Sequence, residues 1–408
     1  MSKVKNLKEL LNVPEPYKKR RKILLGILDE VLKNVDPKKL VSKALPRIPG
    51  KVYVVSVGKA AFYMAEAACE RLEVKGGIII APKGKKVPRI PGLKTFYASH
   101  PIPCADGKKA SQALLEFASK LSKKDHVVFL LSGGGSAMLP LPVRGICMKK
   151  KAKITRDLIK RGATINEINT VRKHISQTKG GNVAKALHPA SVTCLVMSDV
   201  VGNDLSTIAS GPLSPDKTTA KDAIKILKKY KVQVDTKRLQ ETPKPGDKYF
   251  KNISCKIIAS HKTVHESACK AAKNLKVQKG PANLTGDVSK TAKKLLKQAK
   301  KGIFIATGET TVNVKGKGAG GRNQEFALTL LPHLDEHTTV VSIGTDGVDG
   351  MTPQKVAGAI PDKHIYKKDY KSFLAQNDSY HYFLRHKSLI KTDPTGNNLG
   401  DLILILKD

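Results

Sequence analysis

Tryptophan is absent from this chain of 408 residues, and Phe, Trp and Tyr together make up only 5% of it. That scarcity removes the aromatic platforms on which proteins stack single-stranded nucleic acid. Carboxylates are scarce too: 34 Asp and Glu face 74 Lys and Arg, for a net charge of +40. The lysines are spread from Lys3 to Lys407. The excess therefore reads as a solvated basic coat rather than a nucleic-acid motif, and its field attracts small anions. Cys69, Cys104, Cys147, Cys194, Cys255 and Cys269 lie far apart, with no CxxC and no His/Cys ligand spacing. Buried free thiols are expected, without a zinc site or a disulfide framework. No apolar run approaches the roughly 20 residues needed to span a bilayer. The start, MSKVKNLKELL, is too polar for a secretory signal. A soluble cytoplasmic protein without a membrane partner is expected.

What is present is a regular alternation. At 408 residues and 40% hydrophobic, the chain can fill two full cores. Leu24, Leu25, Ile27, Leu28, Val31 and Leu32 fall on one helical stripe within residues 1–45. Short apolar runs then read as strands: 52–57, 76–81, 96–99, 126–131, 191–197, 256–259, 302–306, 340–343 and 402–406. Helical segments lie between them, from about Ala105, over 165–175, and lysine-rich beyond Asp216. This is the signature of α/β domains whose sites gather on one sheet edge. The Pro- and Gly-bearing stretch ETPKPGD, Glu241 to Asp247, is the best boundary. It divides the chain into 1–245 and 246–408.

The densest local signal is Gly308 to Glu325, GETTVNVKGKGAGGRNQE. Five glycines clear the backbone before a helix starting near Asn323, so amides and a helix N-terminus are expected to receive an anion there. Arg322 at the helix entry offers a planar fork for phosphate or carboxylate. The competing reading is a plain hairpin loop.

A second such loop, Ser132-Gly133-Gly134-Gly135-Ser136, follows the strand 126–131 and resembles an anion nest with an N-cap. Lys59 closes the first strand in a tight Gly58-Lys59-Ala60 turn, where ligands of open α/β sheets collect. Lys179 precedes Gly180-Gly181. Asp199, one residue beyond Ser198 at the end of 191–197, suits a hydrated Mg²⁺ or a hydroxyl proton, with a turn-capping aspartate as the rival. Asp346 and Asp349 share a loop with two glycines and suit cation or hydroxyl contacts, or an Asx turn. His100, in a proline-stiffened loop, is catalytic or a turn residue. Scattered cations with loop aspartates fit phosphoryl transfer, which relies on positioning and charge neutralisation. Hydride transfer wants a GxGxxG opening the first βαβ unit. Gly316-Lys317-Gly318 with Gly321 matches that spacing but lies late in the chain.

The runs SVGKAA (56–61), LLSGGGSAMLPLP (130–142), INEINTVRKHIS (165–176), SDVVGNDLSTIASGP (198–212), GETTV (308–312), GGRNQE (320–325) and GTDGVDG (344–350) resemble the type II glycerate kinases. These are the glycerate 2-kinases of the MOFRL family, and the resemblance runs almost end to end. It implies a larger N-terminal Rossmann-like α/β/α domain and a smaller C-terminal α/β domain with the active site in the cleft between them. It also implies ATP-dependent phosphorylation of D-glycerate to 2-phosphoglycerate with Mg²⁺.

By motif it makes Lys59, Asp199 and Arg322 catalytic, with Asp199 also the candidate Mg²⁺ ligand. Ser132 to Ser136, Lys179, Glu309, Thr310, Gly320, Gly321, Asn323, Asp346 and Asp349 become substrate- or nucleotide-binding. Alanine at Lys59 or Arg322 is expected to cut turnover by orders of magnitude with little change in melting temperature. Asn203 stands where a second acidic residue is common and His261 where asparagine is usual. TDPTGNNLGD departs from the family's TGPTGTNVND at Asp393 and Gly400. Similar chains have been described as hydroxypyruvate reductases, which is the alternative, and a basic nucleic-acid binder is the more distant one. A homodimer stays open.

Overall fold

β-branched runs without polar alternation suit strands covered on both faces, and these runs pair side by side. The computed structural model describes residues 2–84 and 87–408. It divides the chain into two units, Val41–Ile258 and Met1–Leu40 with Ala259–Asp408.

The middle unit is built on a six-stranded sheet of order β3-β2-β1-β4-β5-β6. The strands are β1 (Val52–Val57), β2 (Val74–Pro82), β3 (Leu93–Ala98), β4 (His126–Leu131), β5 (Ser191–Met197) and β6 (Ile253–Ala259). β1 runs parallel to both β2 and β4, with Val54 opposite Gly77 and Val128. β2 with β3 and β4 with β5 are parallel too. This is the order of Rossmann-type sheets, in which the direction of winding reverses between β1 and β4. Val55, Val57, Ile80, Phe129, Leu131 and Val196 build the core with Ala110, Leu114 and Leu187 from covering helices. A separate apolar cluster joins three helices, Met148–Lys160, Ile165–His174 and Ala220–Lys229, through Ile154, Leu158, Ile168, Val171 and Leu227. Thr164 and Glu167 cap the second of these reciprocally.

The other unit holds a seven-stranded sheet of order β12-β11-β10-β13-β9-β7, with β8 added on β9. Its strands are β7 (Val277–Lys279), β8 (Leu284–Asp287), β9 (Gly302–Thr311), β10 (Thr338–Gly344), β11 (Gly358–Ala359), β12 (Leu389–Ile390) and β13 (Asp401–Lys407). β13 lies antiparallel between β10 and β9, whereas β7 and β8 run parallel to β9. The fold is mixed α/β with two sheets.

The expected stripe does form a helix, Tyr17–Asn34, and Leu24 to Leu32 are buried along it. Its polar residues show where it belongs. Arg20 donates to Thr339 Oγ1 (3.0 Å), Glu336 O (2.6 Å) and Asp408 Oδ2 (2.7 Å). Arg21 pairs with Asp362 at 2.7 Å, both side chains fully buried. Residues 1–40 therefore complete the unit that resumes at Ala259, not the N-terminal domain 1–245 expected from sequence.

The boundary at 245/246 is displaced for a related reason. Thr242 is buried and donates to Asp216 Oδ2 at 3.1 Å, and Asp216 N donates to Pro243 O at 3.0 Å. The Pro- and Gly-rich stretch is thus a turn anchored in the middle unit, whose sheet then gains β6. The cysteine expectation also needs correction. All six are free thiols, but only Cys194 is fully buried and Cys147 is exposed. No helix of the described residues is long and apolar enough to cross a membrane.

Candidate active site

The loops after β1 and β4, at the reversal of winding, are stitched together. Lys59 N donates to Gly133 O (2.9 Å), Ser132 N to Val57 O (2.9 Å) and Ala60 N to Ser132 Oγ (3.0 Å). Gly58 has φ +122, and a Cβ there would overlap Ser132. Ser132 is 1% exposed and its hydroxyl is spent inside this stitch, so it positions the loop rather than facing a ligand. Gly134 is left-handed at φ 88 and precedes a one-turn helix, Gly135–Met138. The amides of Gly133 to Ser136 donate to no group among the described residues, which leaves a concave row of donors at the sheet's carboxyl edge.

A cavity of about 650 Å³ opens beside this loop. Gly133, Gly134, Ser136 and Lys179 line it, with Asp199 from the end of β5 and His100 from the end of β3. The His100 ring lies against Gly134, where a Cβ would come within 3.1 Å of it. Lys179 is 2% exposed; its Nζ donates to Ser136 O (2.7 Å) and Ser136 Oγ (2.9 Å). Burial, aided by Lys151 and Arg172, holds its pKa well below the usual lysine range. The wall facing Ser136 is bent: Ala209, Ser210 and Gly211 all have positive φ (51, 62 and 65°). Two of these are not glycine, which places strain at the cavity. Ser210 Oγ meets Ser136 Oγ at 3.0 Å.

The glycine-rich stretch of the other unit behaves differently from its sequence reading. β9 continues through Thr311, so Gly308, Glu309 and Thr310 are strand residues, and Gly308 and Thr310 are buried. The later glycines serve contacts within the chain. Cβ atoms at Gly316, Gly318, Gly320 and Gly321 would overlap Gln376, Asp378, Ser379 and Asp349 respectively. Lys315 N and Gly316 N donate to Asn377 Oδ1, Gly318 N to Gln376 O and Ala319 N to Asp378 Oδ1. The helix Arg322–Leu330 already holds an anion at its N-terminus, the carboxylate of Asp349. Its Oδ1 accepts from Asn323 N (3.0 Å) and Oδ2 from Gln324 N (2.9 Å). The expected guest anion is replaced here by the chain's own side chain. Asp349 is a cap, whereas Asp346 accepts from Val348 N at 3.2 Å, an Asx turn.

Arg322 is clamped between two carboxylates. Nε donates to Asp401 Oδ2 (2.8 Å) and Oδ1 (3.0 Å), and Nη1 to Glu309 Oε1 (2.5 Å). Burial works against its charge, but Asp401 and Glu309 outweigh it and hold the pKa above the usual arginine value. Nη2 donates to no group among the described residues. Asn323 Nδ2 also donates to Asp401 Oδ1 at 2.8 Å. Burial pushes Asp401 up to about 7, with Arg322 pulling it back and Asp349 adding to the rise. Glu325, one turn further on, is likewise pushed up to about 7 by burial.

The structure thus gathers Lys59, Gly133 to Ser136, Lys179 and Asp199 at the carboxyl edge of the middle sheet. It gathers Glu309, Thr310, Gly320, Gly321, Arg322, Asn323 and Asp349 around one helix start in the other unit. Sequence reasoning missed Asp401 and Glu325, and also Lys151 and Arg172, which line the middle unit's cavity. Lys151 did carry a signal. It lies on the buried stripe of its helix with Ile154 and Leu158, and a lysine on an apolar stripe is unusual.

Two family models cover most of the chain. Residues 23–241 match a domain of unknown function (DUF4147) and residues 302–401 match the MOFRL family. The D-glycerate 2-kinase of Thermotoga maritima is 38% identical over 94% of this chain and 97% of its own length. The chain belongs to the glycerate 2-kinase family. A second glycerate 2-kinase, from Pyrococcus horikoshii, is 34% identical over 95% of this chain and 97% of its own length. A crystal structure of glycerate kinase from Thermotoga maritima superposes with a TM-score of 0.89 at 37% identity, covering 96% of this chain and all of that one.

Within this glycerate 2-kinase fold, Asn203 adopts φ 56, a left-handed conformation that asparagine tolerates well. Among the described residues no group of three or more His, Cys, Asp or Glu could hold a metal ion. Mg²⁺ keeps several waters and leans on substrate phosphates, and Asp199 is the one carboxylate that lines the cavity.

Proposed function

We propose that this chain is a cytoplasmic, ATP-dependent D-glycerate 2-kinase acting on small molecules, with D-glycerate and ATP as substrates and 2-phosphoglycerate as product. The observation that carries the reading is the pair of stitched loops at the reversal of the middle sheet. They set Lys59 and the bare amides of Gly133 to Ser136 at one edge, beside a cavity rich in desolvated cations. Phosphoryl transfer needs this kind of preorganised positive field and little covalent chemistry.

In this reading the substrate hydroxyl attacks the γ-phosphorus, the bond to the β,γ-bridging oxygen breaks, and ADP leaves with that electron pair. Asp199 accepts the hydroxyl proton or orients the hydroxyl, and Lys59 neutralises charge on the transferring group. Arg322, fixed by Asp401 and Glu309, offers its remaining Nη2 donors to a carboxylate or phosphoryl oxygen. Mg²⁺, held by substrate phosphates and Asp199, would supply further charge neutralisation. The nicotinamide reading loses support because β1 closes in Gly58-Lys59-Ala60-Ala61 rather than GxGxxG. The late GxGxxG match is spent against residues 376–379 and Asp349.

Phosphorus NMR of the product from D-glycerate, ATP and Mg²⁺ tests the proposal. A 2-phosphoglycerate resonance supports it. A 3-phosphoglycerate resonance reassigns the acceptor hydroxyl, and no phosphoglycerate overturns it.

A further inference from the structure

The cavity of the middle unit has a charge imbalance that the chain does not resolve. Lys151 is 8% exposed and Lys179 2%. Arg172 is half-buried, and all three line the same 650 Å³ space. Lys151 Nζ donates to Pro140 O at 2.9 Å and Lys179 to the carbonyl and hydroxyl of Ser136. These are neutral acceptors, and none of the three cations pairs with a carboxylate among the described residues. Elsewhere the chain does supply partners for buried cations: Arg21 has Asp362, Lys173 has Asp216 and Arg322 has Asp401. Desolvated cations left without counter-charge are costly. Three together, facing the bare amides of Gly133 to Ser136, mark a place where a ligand brings several negative charges.

Size narrows the ligand. A cavity of 650 Å³ is in the range that encloses drug-sized molecules of a few hundred daltons, far more than a three-carbon hydroxy acid fills. Its rim carries two aliphatic side chains with no packing reason to be exposed, Ile102 at 76% and Ile159 at 57%. Pro101, Pro103 and Met148 lie in the same lining. Exposed apolar side chains set among the exposed cations Lys149, Arg156 and Lys160, with buried cations and bare amides in the same cavity, are complementary to a flat base joined to a polyphosphate.

We infer that this cavity is the nucleotide site. The polyphosphate lies on the Gly133 to Ser136 amides and on Lys151, Arg172 and Lys179, and the base packs against Ile102, Met148 and Ile159. The assignment rests on the kinase reading and adds to it which substrate this unit holds. It also names Lys151 and Arg172 as phosphate ligands. Burial lowers the Lys151 pKa to about 7, with Arg172 adding to the effect, so a bound polyphosphate would restore its charge.

The test uses the full chain, with ADP as the calorimetric probe and inorganic triphosphate as its base-free counterpart. Lys151→Met and Arg172→Met are each expected to weaken both probes about 10- to 100-fold, the value of a lost hydrogen bond between charged groups. They should raise KM for ATP and leave KM for D-glycerate within about twofold. Ile159→Asp, at an exposed position that the fold tolerates, is expected to weaken ADP and spare triphosphate. Unchanged ADP affinity in Lys151→Met and Arg172→Met overturns the assignment, as does a rise confined to KM for D-glycerate. Those results leave kinase activity intact, so they fall on the nucleotide site alone. A wild-type chain that binds ADP through Lys151 but makes no phosphoglycerate overturns the proposed function instead.

Discussion

Gly400 stands directly against the imidazole of His261. Its backbone has φ +80, and a Cβ there would overlap His261 Cε1 and Nδ1 and lie 2.5 Å from Gly308 O. His261 opens the helix His261–Ala271 and is 3% exposed. Gly400 and His261 are the two sides of one contact. The missing side chain at 400 makes room for the ring at 261.

Gly400→Ala is expected to destabilise the fold by about 2–4 kcal/mol, combining left-handed strain with overpacking. His261→Ala in the same chain should restore part of that loss, because the ring is only one of the two obstacles. Urea unfolding of the two single variants and the double variant gives the coupling. Strict additivity would show that the contact is not the cause.

Arg21→Ala strips Asp362 of its counter-ion in a site where both side chains are fully buried. A loss of about 3–5 kcal/mol is expected, because an uncompensated buried charge remains. The double replacement Arg21→Met with Asp362→Leu should recover most of it. Denaturant midpoints at neutral pH provide the measurement.

Lys59→Ala and Arg322→Ala are expected to part company. Both should lower kcat by about two orders of magnitude or more, as removal of a charge-stabilising group does. Arg322→Ala should also lower the melting temperature by several degrees, since it leaves the buried Asp401 without a counter-ion, facing only the neutral donors Asn323 Nδ2 and Thr310 N. The sequence expectation of an unchanged melting temperature is therefore kept for Lys59 and withdrawn for Arg322. Differential scanning calorimetry beside steady-state kinetics separates the two.

The depressed pKa of Lys151, about 7 when folded against the usual lysine value of 10.5, makes a signed prediction for the ligand-free chain. Between those two values the unfolded chain holds a proton that the folded chain does not. The Lys151 contribution therefore becomes more favourable to folding as pH rises from about 7 toward 10.5. In Lys151→Met this segment of the pH–stability curve should flatten, which denaturant titrations at several pH values will read. A variant curve parallel to that of the wild type contradicts the burial of a charged amine at this position.

Much of the architecture was legible because its cause is local. Strands 126–131 and 191–197 are continuous apolar runs, and both form with those boundaries. The placement of Lys59 and Asp199 just beyond strand ends was legible because a strand end followed by a turn is visible in one dimension. What escaped depends on partners distant in the chain. Nothing in Gly321 announces that Asp349, 28 positions later, will occupy the helix start beside it, and so its glycines looked like room for a guest. The polar letters GETT hid the last four residues of β9, which are held in the sheet by β8 and β13. Met148–Lys160 was overlooked because five lysines masked its apolar stripe, and with it went Lys151.

The interrupted unit imposes an order on synthesis. Residues 1–40 are made before 41–258, yet β10, which receives Arg20, and the acids Asp408 and Asp362 that neutralise Arg20 and Arg21 are translated only after it. While the ribosome completes the intervening sheet, the leucine stripe of Tyr17–Asn34 has no native surface to cover it. The nascent chain thus carries an uncovered amphipathic helix throughout the synthesis of residues 41–258.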